Sequence, residues 1–360
     1  MRIAMASHSQ LFQNLQLENA KTVKSKLLRT LAALTLVVIT AGVVCAQQPR
    51  RPKTVARPAA SDIFASVPKS DGVVVVDVNR LLNETLPRVF AGDSGKLAQI
   101  NSEIDQFKTQ TGIDARTVRR AVVAARYTYP SPNVTKLEPV AIAAGSFNSA
   151  AVVLAPRASA KGKAREEKYG ATTITILTIN DQMKVFGLWN MRVGELAIAP
   201  LNASTVAVGT PATVRAAIDA GKTPQRESAD LIALATRDPH AVIGFGANVP
   251  PSVWAQLNLG SDAIAQDTSS IRQAYGSVGT TATDVTVTVV ARTETPAAAK
   301  NLGDTVTGLK QLAGLMVLQM TGQKQALAQS ALSNLKIDVR ANELEIRTQV
   351  AAANLASLVK

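Results

Sequence analysis

The chain has 360 residues, 46% of them hydrophobic, and a formal net charge of +13. This length corresponds to about two domains, and because only 4% of the residues are aromatic the core must be aliphatic. One cysteine and two histidines are too few ligands for a structural zinc site. The basic residues form no clustered face with stacking aromatics, so the sequence does not predict a nucleic-acid-binding protein.

The N-terminal region has the three parts of a secretory signal peptide. Basic residues between positions 21 and 29 precede an uncharged apolar run at 31–44, and Val44 and Ala46 stand at the −3 and −1 positions of a cleavage site before Gln47. The run is shorter than the about 20 residues of a membrane span. We therefore predict a signal peptide at 1–46 and a periplasmic or secreted protein. The alternative is an inner-membrane protein anchored by an uncleaved leader.

The only cysteine, Cys45, lies in this leader. A lipoprotein signal has Gly, Ala or Ser before its cysteine, whereas this chain has Val44, which disfavours lipidation. Cleavage after Ala46 would leave a mature chain without thiols, which suits an oxidising compartment. Residues 47–61 combine prolines with basic side chains and show no apolar period, which predicts a linker.

The first folded half is predicted at 62–222. Its elements begin with a buried strand at 73–78 and helices at 81–89 and 97–107. Asp114 is expected to cap a short helical turn before strands at 122–127 and 138–147. Asn148 caps the next helix, and the alternating sequence at 171–179 predicts a half-buried strand. Further strands lead to a helix at 211–220, which Gly221 ends.

The second folded half is predicted at 228–360. A buried strand at 241–247 is followed by helices at 251–257 and 263–272 and by two strands within 275–292. Thr295 caps a long helix with Pro296 at its first position. We predict core packing for its apolar stripe, which comprises Leu302, Val306, Leu309, Ala313, Met316 and Met320. A hairpin with its turn at Ala341–Asn342 and a helix at 351–359 complete the chain.

Both halves therefore read strand, helix, strand, strand, helix, strand, with an extra strand and helix appended. This is the split βαββαβ order of ferredoxin-like domains. We predict an α+β protein with an internal repeat, in which 62–222 and 228–360 form tandem ferredoxin-like units with antiparallel sheets.

Two glycine-containing segments resemble nucleotide-binding motifs without matching them. Gly221, Lys222 and Thr223 resemble the end of a phosphate loop, but Ala216 stands where the motif begins with glycine, and the segment follows a helix. The segment 244–249 has two glycines and lacks the third of a dinucleotide fold, so we expect its glycines to pack against another backbone. The sequence predicts no cofactor.

Catalytic chemistry has few candidates. His240 would be the only histidine of the mature chain, and Ser277 lies one position off a nucleophile elbow, so we expect His240 in a turn or at the surface. Asp77 and Asp114 are the best-placed carboxylates for acid–base work, although helix capping explains both. The sequence assigns no catalytic, cofactor-binding or metal-binding residue, and it favours a non-catalytic protein over an enzyme.

Four aromatic residues could line a ligand groove: Tyr127, Trp189, Trp254 and Tyr275. We expect each of them in the core, because a chain with so few aromatic residues uses most of them for packing.

Three segments carry a resemblance to a protein family. The sequences SVPKSDGVVVVDVNRLL, TGIDARTVRRAVVAA and AIAAGSFNSAAV resemble uncharacterised exported bacterial proteins of Acidobacteria-like genomes, over roughly residues 66–153. The resemblance implies export and an α+β fold, and no activity follows from it.

The sequence thus predicts an exported envelope protein that acts by binding. Its partner would be an envelope protein or an anionic envelope polymer. The positive net charge of the chain favours an anionic partner. The alternatives are a periplasmic carrier of a small ligand or lipid, and a hydrolase that uses Asp77 and Asp114. The sequence leaves the oligomeric state open.

Overall fold

The computed structural model describes residues 62–111, 114–131, 134–159, 164–185, 189–223, 226–250 and 262–355. The predicted signal peptide, Cys45, the linker, the helix at 251–257 and Trp254 lie outside these residues. The strands are β1 (Gly72–Val76), β2 (Val118–Ser131), β3 (Val134–Gly145), β4 (Ala164–Tyr169), β5 (Thr172–Val185), β6 (Trp189–Asn202), β7 (Thr205–Gly209), β8 (Ala241–Asn248), β9 (Ile271–Thr280), β10 (Asp284–Thr293), β11 (Lys336–Arg340) and β12 (Glu343–Ala351).

The helices lie between these strands and after the last of them. They are α1 (Val78–Arg80), α2 (Leu86–Val89), α3 (Ser94–Thr111), α4 (Ser149–Ser159), α5 (Pro211–Ala220), α6 (Ala229–Ala235), α7 (Asp262–Ser269), α8 (Pro296–Val317), α9 (Gly322–Ser333) and α10 (Ala352–Leu355). A π-helical turn, Leu81–Thr85, joins α1 to α2, and 3-10 turns occupy Ile63–Ser66 and Ala115–Thr117.

Within the described residues, the strands form one 12-stranded sheet in the order β11-β12-β10-β9-β8-β1-β2-β3-β7-β6-β5-β4. The central strand β1 pairs antiparallel with β2 on one side and with β8 on the other, so that Val74 lies opposite Val123 and Phe245. Residues 62–178 and 195–355 belong to one compact unit, whereas Ile179–Gly194, at the ends of β5 and β6, belongs to a second.

Aliphatic side chains hold the first half of the sheet to its helices. Val73 and Val122 of adjacent strands are fully buried in one cluster with Val214 of α5 and Leu231 of α6. Side chains on a strand alternate between the two faces, so Val73 and Val75 point to this cluster while Val74 and Val76 point to the opposite face. Burial of such aliphatic side chains contributes about 1.5–3 kcal/mol each.

Two smaller clusters hold α8 and α9 to the second half of the sheet. Leu302 of α8 packs with Ile271 of β9 and Leu344 of β12, and Leu327 of α9 packs with Val350 of β12. Gly303 allows α8 to approach β11, because a Cβ atom at this position would lie 2.6 Å from Cγ2 of Val339.

The predicted α+β fold with antiparallel strands is confirmed, whereas tandem ferredoxin-like units are not. A split βαβ unit interleaves its strands, whereas here β1, β2 and β3 are sequential neighbours and β1 joins the two halves through β8. The division into 62–222 and 228–360 and the internal repeat remain predictions. The corresponding orders β1-β2-β3-β7 and β8-β9-β10-β12 are what such a repeat would require.

Local capping signals in the sequence are confirmed. Thr210 caps α5 with Pro211 at its first turn and Gly221 at its end, and Thr295 accepts a hydrogen bond from the Ala298 N–H at the start of α8. The turn between β11 and β12 has Ala341 at φ 50°, as the predicted hairpin requires. Residues Ala164–Tyr169 form the edge strand β4, whose charged side chains are typical of strands that resist edge-to-edge association.

Candidate interaction surface

The C-terminal half of α8 and the residues after it leave large aliphatic side chains in contact with solvent. We name this set the α8 apolar surface. Its residues and exposed fractions are Leu309 (41%), Leu312 (58%), Leu315 (63%), Met316 (69%), Leu318 (69%) and Met320 (38%). Summed over the six residues, the exposed surface is about 600 Å², and contiguous apolar patches larger than a few hundred Å² are uncommon on monomeric soluble proteins.

This surface arises because α8 extends beyond the strand that it covers. Gly303 lies against Val339, and the Lys310 ammonium donates a hydrogen bond of 2.6 Å to the Leu335 carbonyl, just before β11 begins. The helical residues after Lys310 therefore have no β11 residue beneath them. In this half of the helix, Val317 is buried, with 8% of its surface exposed.

The predicted apolar stripe of α8 is therefore correct for its first half and wrong for its second. Leu302 is buried and Val306 packs against the same cluster, but Leu309, Met316 and Met320 are exposed. The stripe also omitted Leu312, Leu315 and Leu318. The signal that could have revealed them is the width of the apolar region, which covers more of the helix circumference than one packing face needs.

The α8 apolar surface contains one charged residue along the chain, Lys310, which follows its first member, Leu309. No acidic or basic side chain occurs between Lys310 and Lys324, and Lys310 is engaged with a backbone carbonyl. The one ion pair within α8, Lys300 with Asp304 at 3.8 Å, lies in the N-terminal half. Charge is therefore sparse along this part of the chain, and removal of apolar surface from water is the main driving force for binding here.

The two carboxylates proposed for acid–base work are helix caps. Asp77 Oδ1 accepts a hydrogen bond from the Arg80 N–H at 3.1 Å, and Asp114 Oδ1 accepts one from the Arg116 N–H at 3.0 Å. The Lys108 ammonium donates to Asp114 Oδ2 at 2.9 Å, and this hydrogen bond lowers the pKa of Asp114. A general acid at neutral pH needs a raised pKa, so the geometry of Asp114 supports the structural role.

His240 and Ser277 come close in the fold without forming a catalytic triad. The Ser277 hydroxyl donates to Asp238 Oδ2 at 3.0 Å, and the backbone N–H of His240 donates to Asp238 Oδ1 at 2.9 Å. In a triad the histidine ring stands between the hydroxyl and the carboxylate, whereas here the hydroxyl bonds the carboxylate directly. His240 is exposed in a turn, as the sequence predicted.

The two glycine-containing segments lack the backbone geometry of a phosphate-binding loop. Gly221 and Lys222 lie at the C-terminal end of α5, where the helix dipole is negative and disfavours phosphate. The Lys222 ammonium is 2.9 Å from Asp219 Oδ1. The expected backbone packing of the other segment is confirmed, because a Cβ atom on Gly244 or Gly246 would collide with α6.

Two of the aromatic candidates, Tyr127 and Tyr275, have side chains of restricted exposure in the sheet. Tyr275 is buried, lies between Arg237 and Arg292 with ring-to-guanidinium distances of 5.2 and 5.5 Å, and its hydroxyl accepts a hydrogen bond from Arg237. Burial raises the pKa of Tyr275 and also that of Tyr127, which is only partly exposed. Trp189 lies in β6. The expected core position is thus confirmed for Tyr275.

The described residues give little support for an enclosed cavity, a metal site or a membrane-spanning helix. An open depression of about 630 Å³ lies along one side of α3, and two of the residues that line it, Asn101 and Asp105, bond Arg116. No group of three or more His, Cys, Asp or Glu side chains in the described ranges is arranged to hold a metal ion. No described helix is both long enough and apolar enough to cross a membrane.

Comparison with known proteins gives only a distant structural likeness. No protein-family model matches the chain, and no curated protein matches it. The fold is similar to the crystal structure of TP0453 in form III, with a TM-score of 0.42, 11% sequence identity and coverage of 84% of this chain and 99% of that chain. Form IV gives a TM-score of 0.41, 11% identity and coverage of 84% and 97%. A likeness at this level carries no argument about function.

Proposed function

We propose that this chain is an exported, non-catalytic envelope protein that binds a partner through the α8 apolar surface. The observation that carries the proposal is the exposure of six large aliphatic side chains within residues 309–320, where Lys310 is the single charged residue of the sequence. Exposed apolar patches of this size are typical of interaction sites. The support for export is the arrangement of basic residues, apolar run and small-residue cleavage site at 1–46.

The roles of the polar candidates favour binding over catalysis. Asp77 and Asp114 cap helices, and Asp238 holds Ser277 and the backbone of His240. Catalysis requires such groups to converge on a position that a reacting atom can occupy. Each of these groups instead satisfies a neighbour within the fold.

A capture experiment with matched leucine variants tests the proposal. Protein purified from the envelope fraction is immobilised and incubated with envelope extract at low and moderate salt. We expect specific components to be retained by the wild type and by Leu154→Gln, and to be lost with Leu312→Gln. Leu154 on α4 is the matched control because it is 57% exposed, against 58% for Leu312. Equal retention by all three proteins would refute a role for the α8 apolar surface.

Salt dependence separates this proposal from a second candidate, binding of an anionic envelope polymer. The formal net charge of residues 47–360, +9 from 34 Lys and Arg against 25 Asp and Glu, favours that candidate. Binding through exposed basic side chains weakens as salt screens the charges, whereas apolar docking is maintained. Retention that disappears at moderate salt and is unaffected by Leu312→Gln would favour the polymer.

The location is tested by intact-mass measurement of the protein taken from cells. We expect a mature chain that begins at Gln47 in the periplasmic fraction. A chain that retains residues 1–46 in the membrane fraction would favour the uncleaved inner-membrane anchor, and a lipid adduct on Cys45 would favour a lipoprotein.

A further inference from the structure

We propose that the partner on the α8 apolar surface is a second copy of this chain, in a two-fold helix-to-helix contact. This inference rests on the proposed function and names the occupant of the same surface. In such an isologous contact each copy contributes the same residues, and those near the two-fold axis meet their own counterparts.

The distribution of charge favours a second copy. Residues 47–360 carry 34 Lys and Arg side chains against 25 Asp and Glu, a formal net charge of +9, so two copies repel each other across most possible contacts. The stretch between Lys310 and Lys324 has no charged side chain, so contact there adds little to this repulsion. The ammonium of Lys310, the nearest preceding charge, is directed to the Leu335 carbonyl at 2.6 Å.

The exposed area is sufficient for a specific dimer. A stable protein interface buries about 1,200–2,000 Å² in total, or about 600–1,000 Å² on each partner. The α8 apolar surface alone supplies about 600 Å² per copy, before any polar rim is counted. Contact between two α8 apolar surfaces therefore buries up to about 1,200 Å² in total, which is the lower limit of this class.

The spacing of the residues suits packing between two helices. Leu309, Leu312 and Met316 follow one another at intervals of three and four, which places them in a row along one side of α8. Gly308 lies one turn before Leu312 and has open space where a Cβ atom would be, so a second helix can approach closely. Rows of this kind interdigitate when helices pack at about 8–10 Å between their axes.

The first experiment measures mass by sedimentation equilibrium across a dilution series of the purified protein. We expect the wild type and Leu154→Gln to reach the mass of a dimer and Leu312→Gln to remain a monomer at the same concentrations. Circular dichroism and the thermal midpoint of each variant show whether the fold is retained. A double variant, Leu315→Gln with Met316→Gln, is an independent test of the same surface and is also expected to remain a monomer.

The second experiment places a single thiol on the surface. In a Cys45→Ser background, Leu312→Cys is expected to form a disulfide-linked dimer under mild oxidation, whereas Leu154→Cys is expected to remain monomeric. The two positions are equally exposed, so random collision would crosslink both to the same extent. Equal crosslinking, or none at Leu312, overturns the proposed contact.

Other occupants of the surface give different results. A wild type that stays monomeric and binds vesicles of phosphatidylethanolamine and phosphatidylglycerol, with loss of binding in Leu312→Gln, overturns the dimer and leaves the proposed function standing. A monomer in which Leu312→Gln lowers the thermal midpoint far more than Leu154→Gln indicates that the chain covers its own surface. That result overturns both the dimer and the proposed function.

Discussion

Truncation of two leucines on α8 is expected to destabilise the protein by very different amounts. Leu302 is 3% exposed and packs with Ile271 and Leu344, whereas Leu312, three turns further along the helix, is 58% exposed. Replacing a buried leucine by alanine costs about 2–5 kcal/mol, because apolar burial is lost and a cavity remains. Since two strands fix the surroundings of Leu302, we expect about 3 kcal/mol for Leu302→Ala.

The same substitution at Leu312 is expected to cost about 0.5 kcal/mol or less, because an exposed site loses little contact and alanine is the best helix former. Urea denaturation of the monomer, followed by circular dichroism, measures both values if the slope with denaturant is unchanged. Leu154→Ala on α4 provides a control of equal exposure.

Equal costs for Leu302→Ala and Leu312→Ala, within about 0.5 kcal/mol, would refute the assignment of the second half of α8 to the surface. Protein concentration supplies a further criterion. If two copies associate through α8, association stabilises the folded state by mass action. The apparent cost of Leu312→Ala then grows with protein concentration.

Three further predictions concern local features. Because the hydrogen bond from Lys108 lowers the pKa of Asp114 in the folded state, this carboxylate stabilises the protein above its unfolded pKa of about 3.9, and the contribution is lost as pH falls through the folded pKa. Thermal midpoints measured between about pH 5 and pH 2 should therefore fall less steeply in Asp114→Asn. Gly244→Ala should destabilise the fold by about 1–3 kcal/mol because the methyl group meets the backbone of α6, whereas Gly314→Ala, in open space within α8, should stabilise it by up to about 1 kcal/mol. Thr295→Ala removes the α8 cap and should cost about 1 kcal/mol in urea denaturation, and an unchanged midpoint would contradict the capping role.

Features that depend on neighbouring residues were predictable from the sequence. Caps such as Asp77, Asp114 and Thr295 follow from the unsatisfied N–H groups at the start of any helix, and the side chains that satisfy them lie within three residues. Strands were recognisable in the same way, because alternation and valine content are local properties.

Features that depend on distant residues were not predictable. Leu302 and Leu309 occupy the same apolar stripe, yet only Leu302 is buried, since burial is decided by where β11 begins more than twenty residues later. Ser277 and Asp238 are hydrogen-bonded across 39 positions of sequence, and no local pattern indicates the pair. The single sheet likewise depends on the pairing of β1 with β8, which lie in different halves of the chain.

The central position of β1 determines the order in which folding can be completed. Its sequence, Gly72 followed by four valines, has high β-propensity and no charge, and one of its two neighbours, β8, is synthesised much later. Until β8 emerges, β1 is an open edge whose unpaired N–H and C=O groups can accept a strand from another molecule. The nascent chain is therefore most vulnerable to aggregation while its N-terminal half waits for Ala241–Asn248, and a delay in that interval lengthens the period of risk.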